Sequence, residues 1–378
     1  MKPQPREISL FLELLSAAIW QQRPDPSLFE QVDEATWNAV MQHAIRQSVP
    51  ALVADGVQML PHAMKPPRKI ALSLALMAEQ TEQLNRRINH TLATVHEEYL
   101  AADFPFILLK GQANARYYPN PLHRTPGDLD FFLYRPGDCE RANRWIISHH
   151  YQLEVAGHTQ WSYDRDGVHI ENHHKILNCE LSKHNRLLHE IVNGIIQSKN
   201  FETITIDGAT LHVFPADFNL LYLFMHLFHH FRYSGIGLRQ ICDWLLALSA
   251  LHQKIDRTAF VTRARQFDLL RPMQIFASLA IRHLKADPAI FPFDIGKETR
   301  YAEMVMDDIL RGGNFGLHHT DKNQRYIPNT RWHRYKTVVS RSCIFGGMAP
   351  TLFLPMPFTK FFRSIRFSLL SSKTTHLL

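Results

Sequence analysis

The sequence has few cysteines and no long uncharged apolar run, and both absences narrow the class of protein. Its 378 residues include four cysteines that stand far apart, namely Cys139, Cys179, Cys242 and Cys343. No Cys-x-x-Cys pair occurs, so neither a zinc ribbon nor a dithiol redox motif is supported. The least charged segment, Cys343 to Thr359, is interrupted by Pro350, Pro355 and Pro357, which excludes a regular membrane-spanning helix there.

The sequence also lacks a signal peptide, which bears on the protein's location, and a typical single-strand nucleic-acid platform, which bears on its partners. The N-terminal residues lead directly into an amphipathic helical pattern without the apolar core of a signal peptide, so we predict a soluble, cytoplasmic protein without a transmembrane segment. No run of Arg and Lys interleaved with aromatic residues resembles a single-strand nucleic-acid platform. The net charge of +7 still favours an anionic partner, which leaves nucleotides, nucleic acids and anionic lipid surfaces open.

Helical spacing dominates both ends of the chain, and strand patterns lie between them. One extended helix is predicted from about Pro66 to Ala102, and one helix from Thr258 to Lys285. Residues 359–370 have the spacing of a basic amphipathic helix, which suits either a membrane surface or packing on the helical domain. We predict four parts: a helical N-terminal region at 1–102, a strand-containing core at 103–214, a helical C-terminal domain at 215–327 and a basic, apolar tail at 328–378.

The most informative pattern lies between residues 107 and 133. An apolar strand leads into the turn Lys110-Gly111 and a short helix, and a second apolar strand begins with Asp128 and Asp130. Strand residues two apart share a face, so the two carboxylates lie side by side and raise each other's pKa unless a positive charge intervenes. A divalent cation is the usual partner of such oxygen ligands, and a glycine turn at a helix N-terminus favours phosphate. The pattern therefore indicates metal-dependent nucleotide chemistry.

A two-metal site usually needs a third carboxylate, and Glu171 is the best candidate. The turn Asp164 to Gly167 predicts a hairpin whose second strand places His169, Glu171 and His173 on one face. Two cationic residues, Lys110 and Arg124, have two possible roles: pairing with the Asp carboxylates or contacting a triphosphate.

Downstream residues on predicted helices have less specific patterns. His226 and His230 are four apart and share a helical face, which suits either a metal or a position in the core or between domains; we favour the second. Arg239 and Asp243 are also four apart, and we predict that they form a helix-surface or an interhelical pair rather than a substrate contact.

These motifs together resemble a known family, the uncharacterised nucleotidyltransferases of the DNA polymerase β-like superfamily. The resemblance covers most of residues 30–285. The segments that carry it are Leu109-Lys110-Gly111, Tyr117-Tyr118-Pro119, Arg124 to Asp130, Tyr151, Phe214 to Asp217, His226 to His230 and Leu238 to Asp243.

The resemblance implies an α+β fold, in which helical regions flank a small mixed sheet with a polymerase β-like nucleotidyltransferase core. It further implies that Asp128, Asp130 and Glu171 are the catalytic, metal-binding acids for Mg²⁺ or Mn²⁺. The residues that would bind the nucleotide are Lys110, Gly111, Gln112 and Arg124. The expected co-substrate is a nucleoside triphosphate, with ATP favoured. The hydroxyl acceptor is unknown; a small molecule or protein is favoured over nucleic acid.

Two hypotheses of different class follow. The first is an Mg²⁺-dependent nucleotidyltransferase. The second is a non-catalytic nucleotide-binding or interaction protein on the same fold, because Gln112 stands where many active members have Ser or Gly.

Overall fold

The computed structural model describes residues 4–155, 159–296, 299–316 and 331–359. Its centre is a mixed sheet of seven strands in the order β3-β4-β5-β2-β1-β7-β6. The strands are β1 (Ile107–Leu109), β2 (Leu129–Phe132), β3 (Glu154–Val155), β4 (Gln160–Arg165), β5 (Val168–His173), β6 (Glu202–Ile206) and β7 (Ala209–Val213). The predicted hairpins at 160–172 and 203–213 are confirmed as β4–β5 and β6–β7.

The central strands bring distant parts of the chain into register. β1 runs antiparallel to β2, with Leu109 opposite Asp130. β2 runs parallel to β5, with Asp130 opposite Glu171. Because Lys110 directly follows the end of β1, three charged residues from separate segments meet at one point of the sheet.

Helices surround the sheet on both faces, and they fall into three stretches of the described chain. Four precede the sheet: α1 (Arg6–Trp20), α2 (Glu34–Arg46), α3 (Pro50–Gln58) and α4 (Arg68–Ala101). Three lie between strands: α5 (Gly111–Ala115), α6 (Asp138–Ser148) and α7 (Ser182–Gln197). The rest follow: α8 (Ala216–Tyr233), α9 (Leu238–Leu251), α10 (Arg257–Gln266), α11 (Leu270–Leu284), α12 (Thr299–Gly312), α13 (Arg331–Phe345) and α14 (Pro350–Phe353).

The two faces of the sheet pack on different helices because strand side chains alternate. Phe131 of β2 is buried with Leu92 and Tyr99 of α4, in a cluster on one face. Phe132 belongs to a second cluster that also contains Phe218 of α8 and residues of α1, α9 and α11. Asp130 shares the orientation of Phe132, so its carboxylate is on the face towards α8.

The predicted helix from Thr258 to Lys285 is wrong as a single element, because α10 ends at Gln266 and α11 begins at Leu270. Asp268 between them has a φ of 59°. Pro272 then occupies the first turn of α11, where its missing N–H costs nothing, whereas a continuous helix would place it in the interior. The long helix predicted from Pro66 to Ala102 is confirmed as α4.

The predicted α+β class, with a mixed sheet between flanking helical regions, is confirmed. The division of the chain into four parts at 102, 214 and 327 stays a prediction. Most of the amphipathic segment 359–370 lies outside the described residues. Within the described ranges, no helix has both the length and the apolar character needed to cross a membrane.

Candidate active site

Asp130 and Glu171 lie side by side because their strands pair in register. The expected alternation along β5 is confirmed: His169, Glu171 and His173 share one face, and Val168 and Ile170 are buried on the other. Asp130, Glu171 and His173 each offer a ligand atom, and these atoms lie within 4.8 Å of one another. Two carboxylates and an imidazole therefore converge on one point of the sheet.

Asp130 is buried and already has two cationic or hydrogen-bonding partners. Lys110 Nζ lies 2.8 Å from Asp130 Oδ1, and His173 Nε2 lies 2.9 Å from the same oxygen. Burial alone would raise the pKa of Asp130, but the Lys110 ammonium and the His173 hydrogen bond hold it well below the ordinary value. The two partners therefore favour the ionised carboxylate of Asp130.

His173 joins the two acids. Its Nε2 also lies 3.3 Å from Glu171 Oε2. Burial disfavours the charged imidazolium, but hydrogen bonds to Asp130 and Glu171 outweigh it and raise the pKa of His173. Its Nδ1 is buried without a partner among the described residues.

Asp128 differs from Asp130 although the two belong to one Asp-x-Asp motif. It is exposed, one residue before β2, and makes no hydrogen bond or ion pair within the described ranges. Partial desolvation, followed by the nearby carboxylates of Asp130 and Glu171, raises the pKa of Asp128. Repulsion between the neighbouring carboxylates therefore contributes to the raised pKa of Asp128. For Asp130 the Lys110 ammonium outweighs this repulsion.

The turn after β1 has an unusual backbone. Lys110 has a φ of 36° and Gly111 a φ of 42°. For a non-glycine residue such a conformation costs about 1–3 kcal/mol and often marks a functional site. The positive φ favours glycine at position 111, and a Cβ there would lie 3.4 Å from the Asp128 carbonyl oxygen, so the turn is close to the acidic motif.

Gln112, the next residue, is buried and directed towards α4. Its Nε2 donates to Asn89 Oδ1 at 2.5 Å and to Asn85 Oδ1 at 3.2 Å. Asn85 in turn donates to the carbonyl of Arg124 at 2.9 Å. The Gln112 side chain therefore ties the turn to α4 and to the loop before Asp128.

Arg124 pairs with an acid that the sequence did not assign to it. Its Nε and Nη2 donate to the two oxygens of Asp243, at 2.8 and 2.9 Å. Tyr118 also donates to Asp243, at 2.7 Å. The predicted helix-surface pair between Arg239 and Asp243 is wrong, because the Asp243 carboxylate contacts Arg124 instead. Arg239 donates to the carbonyl oxygens of Thr125 and Pro126.

These residues surround a cleft of about 600 Å³ between the sheet, α8 and α9. Its lining includes six of the predicted site residues: Lys110, Gly111, Arg124, Asp128, Asp130 and Glu171. His226 and His230 of α8 form the opposite wall, with their Nε2 atoms 3.1 Å apart. Burial lowers the pKa of His230 to about 3 and that of His226 well below its ordinary value, so both are neutral. Neither histidine belongs to the cluster of Asp130, Glu171 and His173 that could hold a metal among the described residues. The core or interdomain position favoured from the sequence stays a prediction.

Comparison with known protein families decides the assignment. The model of a family described as uncharacterised nucleotidyltransferase matches residues 33–285, more than half of the chain. The chain belongs to this family. The resemblance inferred from the sequence motifs is therefore confirmed.

Other comparisons add little to the family assignment. No curated protein matches the chain. Among solved structures, the chain is similar to an antigenic nucleotidyltransferase-like protein from Paracoccidioides brasiliensis, with 14% sequence identity, 54% of this chain and 96% of that chain covered, and a TM-score of 0.33. A likeness at that TM-score supports no conclusion about mechanism.

The donor set of this nucleotidyltransferase-family cleft fits a divalent cation. Asp130, Glu171 and His173 converge, and the unpaired Asp128 lies beside them at the rim. Oxygen donors suit Mg²⁺, and an added imidazole is also compatible with Mn²⁺. Lys110 shares the Asp130 oxygen that such an ion would contact, so metal binding requires its ammonium to move or the second Asp130 oxygen to be used.

Sequence reasoning missed two members of this cleft as site residues, His173 and Arg239. His173 had a usable signal, since it is two residues after Glu171 on the same strand face. Arg239 had no such signal in the sequence, because its spacing suggested a pair with Asp243. Only the tertiary structure shows that Asp243 contacts Arg124 instead.

Proposed function

We propose that the protein is a divalent-metal-dependent nucleotidyltransferase that transfers a nucleoside monophosphate from a nucleoside triphosphate to a hydroxyl acceptor. The observation that carries the proposal is the convergence of Asp130 and Glu171 on neighbouring strands, at a cleft whose rim bears Asp128. Membership of the nucleotidyltransferase family supports it. Mg²⁺ or Mn²⁺ is the proposed cation and ATP the favoured co-substrate.

The residues proposed to hold the cation are Asp128, Asp130 and Glu171, with His173 as an additional ligand. A bound divalent cation would supply neutralisation of phosphate charge and a lower pKa for the acceptor hydroxyl. Three cationic side chains and four carboxylates line the cleft, namely Lys110, Arg124 and Arg239 against Asp128, Asp130, Glu171 and Asp243. The exposed carboxylate of Asp128, which pairs with no cation within the described ranges, favours a divalent cation on this side of the cleft.

In the proposed reaction the acceptor oxygen attacks the α-phosphorus. A new P–O bond forms, the bond to the β-phosphate bridging oxygen breaks, and pyrophosphate leaves with that electron pair. Glu171 is proposed to receive the hydroxyl proton. Asp130 is a poorer base because Lys110 and His173 hold its pKa low.

Lys110 and Gly111 are proposed to contact the phosphates, since the strained turn places them beside the Asp128 carbonyl. Gln112 would take part through its backbone, because its side chain is bonded to α4. A direct role of Arg124 in nucleotide binding stays a prediction from the resemblance, as its guanidinium contacts Asp243.

The acceptor is proposed to enter between the sheet and the walls formed by α8 and α9, because ligand sites favour such junctions. A small molecule or a protein hydroxyl is favoured over nucleic acid. The cytoplasmic location inferred from the sequence stays a prediction.

The test is transfer of label from an α-labelled nucleoside triphosphate, with Mg²⁺ or Mn²⁺, to a panel of small-molecule and protein acceptors. The wild type should transfer label, and the double variant Asp128→Ala plus Asp130→Ala should lose it. Asp166→Asn is a matched control, because Asp166 is an exposed turn carboxylate outside the cleft with a φ of 52°, which Asn accepts. Undiminished transfer by the double variant would contradict the proposal.

One observation favours a second candidate, a non-catalytic nucleotide-binding protein. The Lys110 ammonium already neutralises Asp130, so the site is partly compensated without a metal. Calorimetry separates the two candidates. Nucleotide binding without any turnover would support the second, and metal-dependent turnover would remove it.

A further inference from the structure

Arg239 is mostly buried in the wall of the cleft, yet among the described residues no carboxylate lies within ion-pair distance of it. Three other buried arginines do contact carboxylates, in the pairs Arg124–Asp243, Arg232–Glu180 and Arg341–Asp308. The acid four residues along α9, Asp243, is occupied by Arg124 and Tyr118. A partly buried guanidinium that forms no ion pair is stabilised when a ligand supplies negative charge.

The Arg239 head is held in place rather than free to swing out. Its Nη1 donates to the carbonyl oxygens of Thr125 at 3.3 Å and Pro126 at 3.0 Å. The guanidinium also lies over the Phe315 ring, 6.0 Å from its centroid. Its Nε is buried without a hydrogen-bond partner in the described ranges. The side chain is therefore preorganised and retains unused donor capacity.

These contacts fix Arg239 on the loop that leads into Asp128. A Cβ built on Gly127 would lie 3.6 Å from Arg239 Nη1, so the guanidinium is beside the residue that precedes the acid. Lys110 lines the same cleft from the β1 side. Burial lowers the pKa of His226 and His230 on α8, so these two side chains add no positive charge to the cleft.

We propose that Arg239 is a further phosphate-binding residue of the cleft, beside Lys110 and Gly111, and that it holds the β- and γ-phosphates of the nucleotide and the pyrophosphate that leaves. This inference rests on the proposed function and names the residue that recognises the leaving group. A guanidinium fits a phosphate through two parallel N–H···O bonds. Arg124 acts as a positioning residue: it occupies Asp243, so that Arg239 forms no ion pair with a carboxylate among the described residues.

The experiment is calorimetric titration of inorganic triphosphate and pyrophosphate into the full chain, with and without Mg²⁺. The variants are Arg239→Gln, Arg239→Lys and the matched control Arg282→Gln, whose arginine pairs with Glu303 at the surface. Loss of a charged, bidentate contact should weaken triphosphate binding about 10- to 100-fold in Arg239→Gln. Arg239→Lys keeps the charge and should lose less, and Arg282→Gln should bind like the wild type.

If Arg239→Gln does not fold, Arg239→Lys provides the test. This variant retains the positive charge but loses the bidentate contact, so it should bind triphosphate more weakly than the wild type. Wild-type affinity in a folded Arg239 variant, or no binding of either anion by the wild type in both conditions, would overturn the inference. The double variant Asp128→Ala plus Asp130→Ala should still bind triphosphate without metal. Nucleotidyl transfer that survives Arg239→Gln unchanged would overturn only this role of Arg239 and not the proposed function.

Discussion

The ion pair between Arg124 and Asp243 joins the loop before the acidic motif to helix α9, and breaking it should be strongly destabilising. The two side chains are 5% and 13% exposed, so water screens their interaction little. Asp243→Asn leaves the Arg124 guanidinium buried without a counter-charge. Removal of one partner from a buried pair typically costs about 3–5 kcal/mol. Because Asn keeps an oxygen that accepts from Tyr118, we expect the lower end, about 3 kcal/mol.

Urea denaturation followed by tryptophan fluorescence measures this loss, and Trp244 lies next to Asp243 on α9. The control is Asp307→Asn, which breaks an exposed pair with Arg311 one helical turn away and should cost only about 0.3–0.5 kcal/mol. The double variant Arg124→Met plus Asp243→Leu should recover most of the loss, because no unpaired buried charge remains. A cost of Asp243→Asn below about 1 kcal/mol, or no recovery in the double variant, would show that the buried ion pair does not stabilise the fold in this way.

Two further variants test contacts near the same loop. Hydrogen bonds to Asp55 at 2.7 Å and Glu82 at 2.9 Å raise the pKa of His123, so its stabilisation is present below the unfolded-state pKa of about 6.5 and is lost as pH rises through the higher folded-state value. His123→Gln should therefore lower the urea midpoint more at about pH 5.5 than at about pH 9, and an equal loss at both would contradict this assignment. Gln112→Ala should cost about 1–2 kcal/mol, because Asn85 loses a buried partner, while triphosphate affinity in calorimetry stays unchanged. Weaker binding at unchanged stability would instead place the Gln112 side chain in the cleft.

Strand alternation accounts for what could be predicted of the site. The period of two puts Asp128 beside Asp130 and Glu171 beside His173, so the acidic face was readable from the sequence. The resemblance to the nucleotidyltransferase family then indicated which strands meet. The register that pairs Asp130 with Glu171 is a tertiary fact, but it agrees with that expectation.

Partner choice among charged side chains could not be predicted in the same way. Spacing along α9 suggested that Arg239 and Asp243 pair, yet the helix faces the core so that Arg124 reaches Asp243. Local sequence also gave equal roles to the two aspartates of the motif. Their difference arises from Lys110, which reaches Asp130 because β1 and β2 are paired.

The sequence pattern did not predict every helix boundary, because some helices are interrupted by a local break in the backbone. The break at Asp268, which has a φ of 59°, has no strong sequence signal, because the apolar spacing continues across it. Pro272, four residues later, was the available signal, and it belongs to the first turn of the new helix. Pro50 similarly occupies the first position of α3, where proline is favoured.

The most direct test of the central proposal is a crystal structure of the protein with a non-hydrolysable nucleoside triphosphate and Mn²⁺, in which anomalous scattering locates the metal. We expect Mn²⁺ bound by Asp128, Asp130 and Glu171, with the α-phosphate beside it and the terminal phosphates on Arg239. A nucleotide bound outside the cleft, or a metal that contacts none of the three acids, would contradict the proposed function.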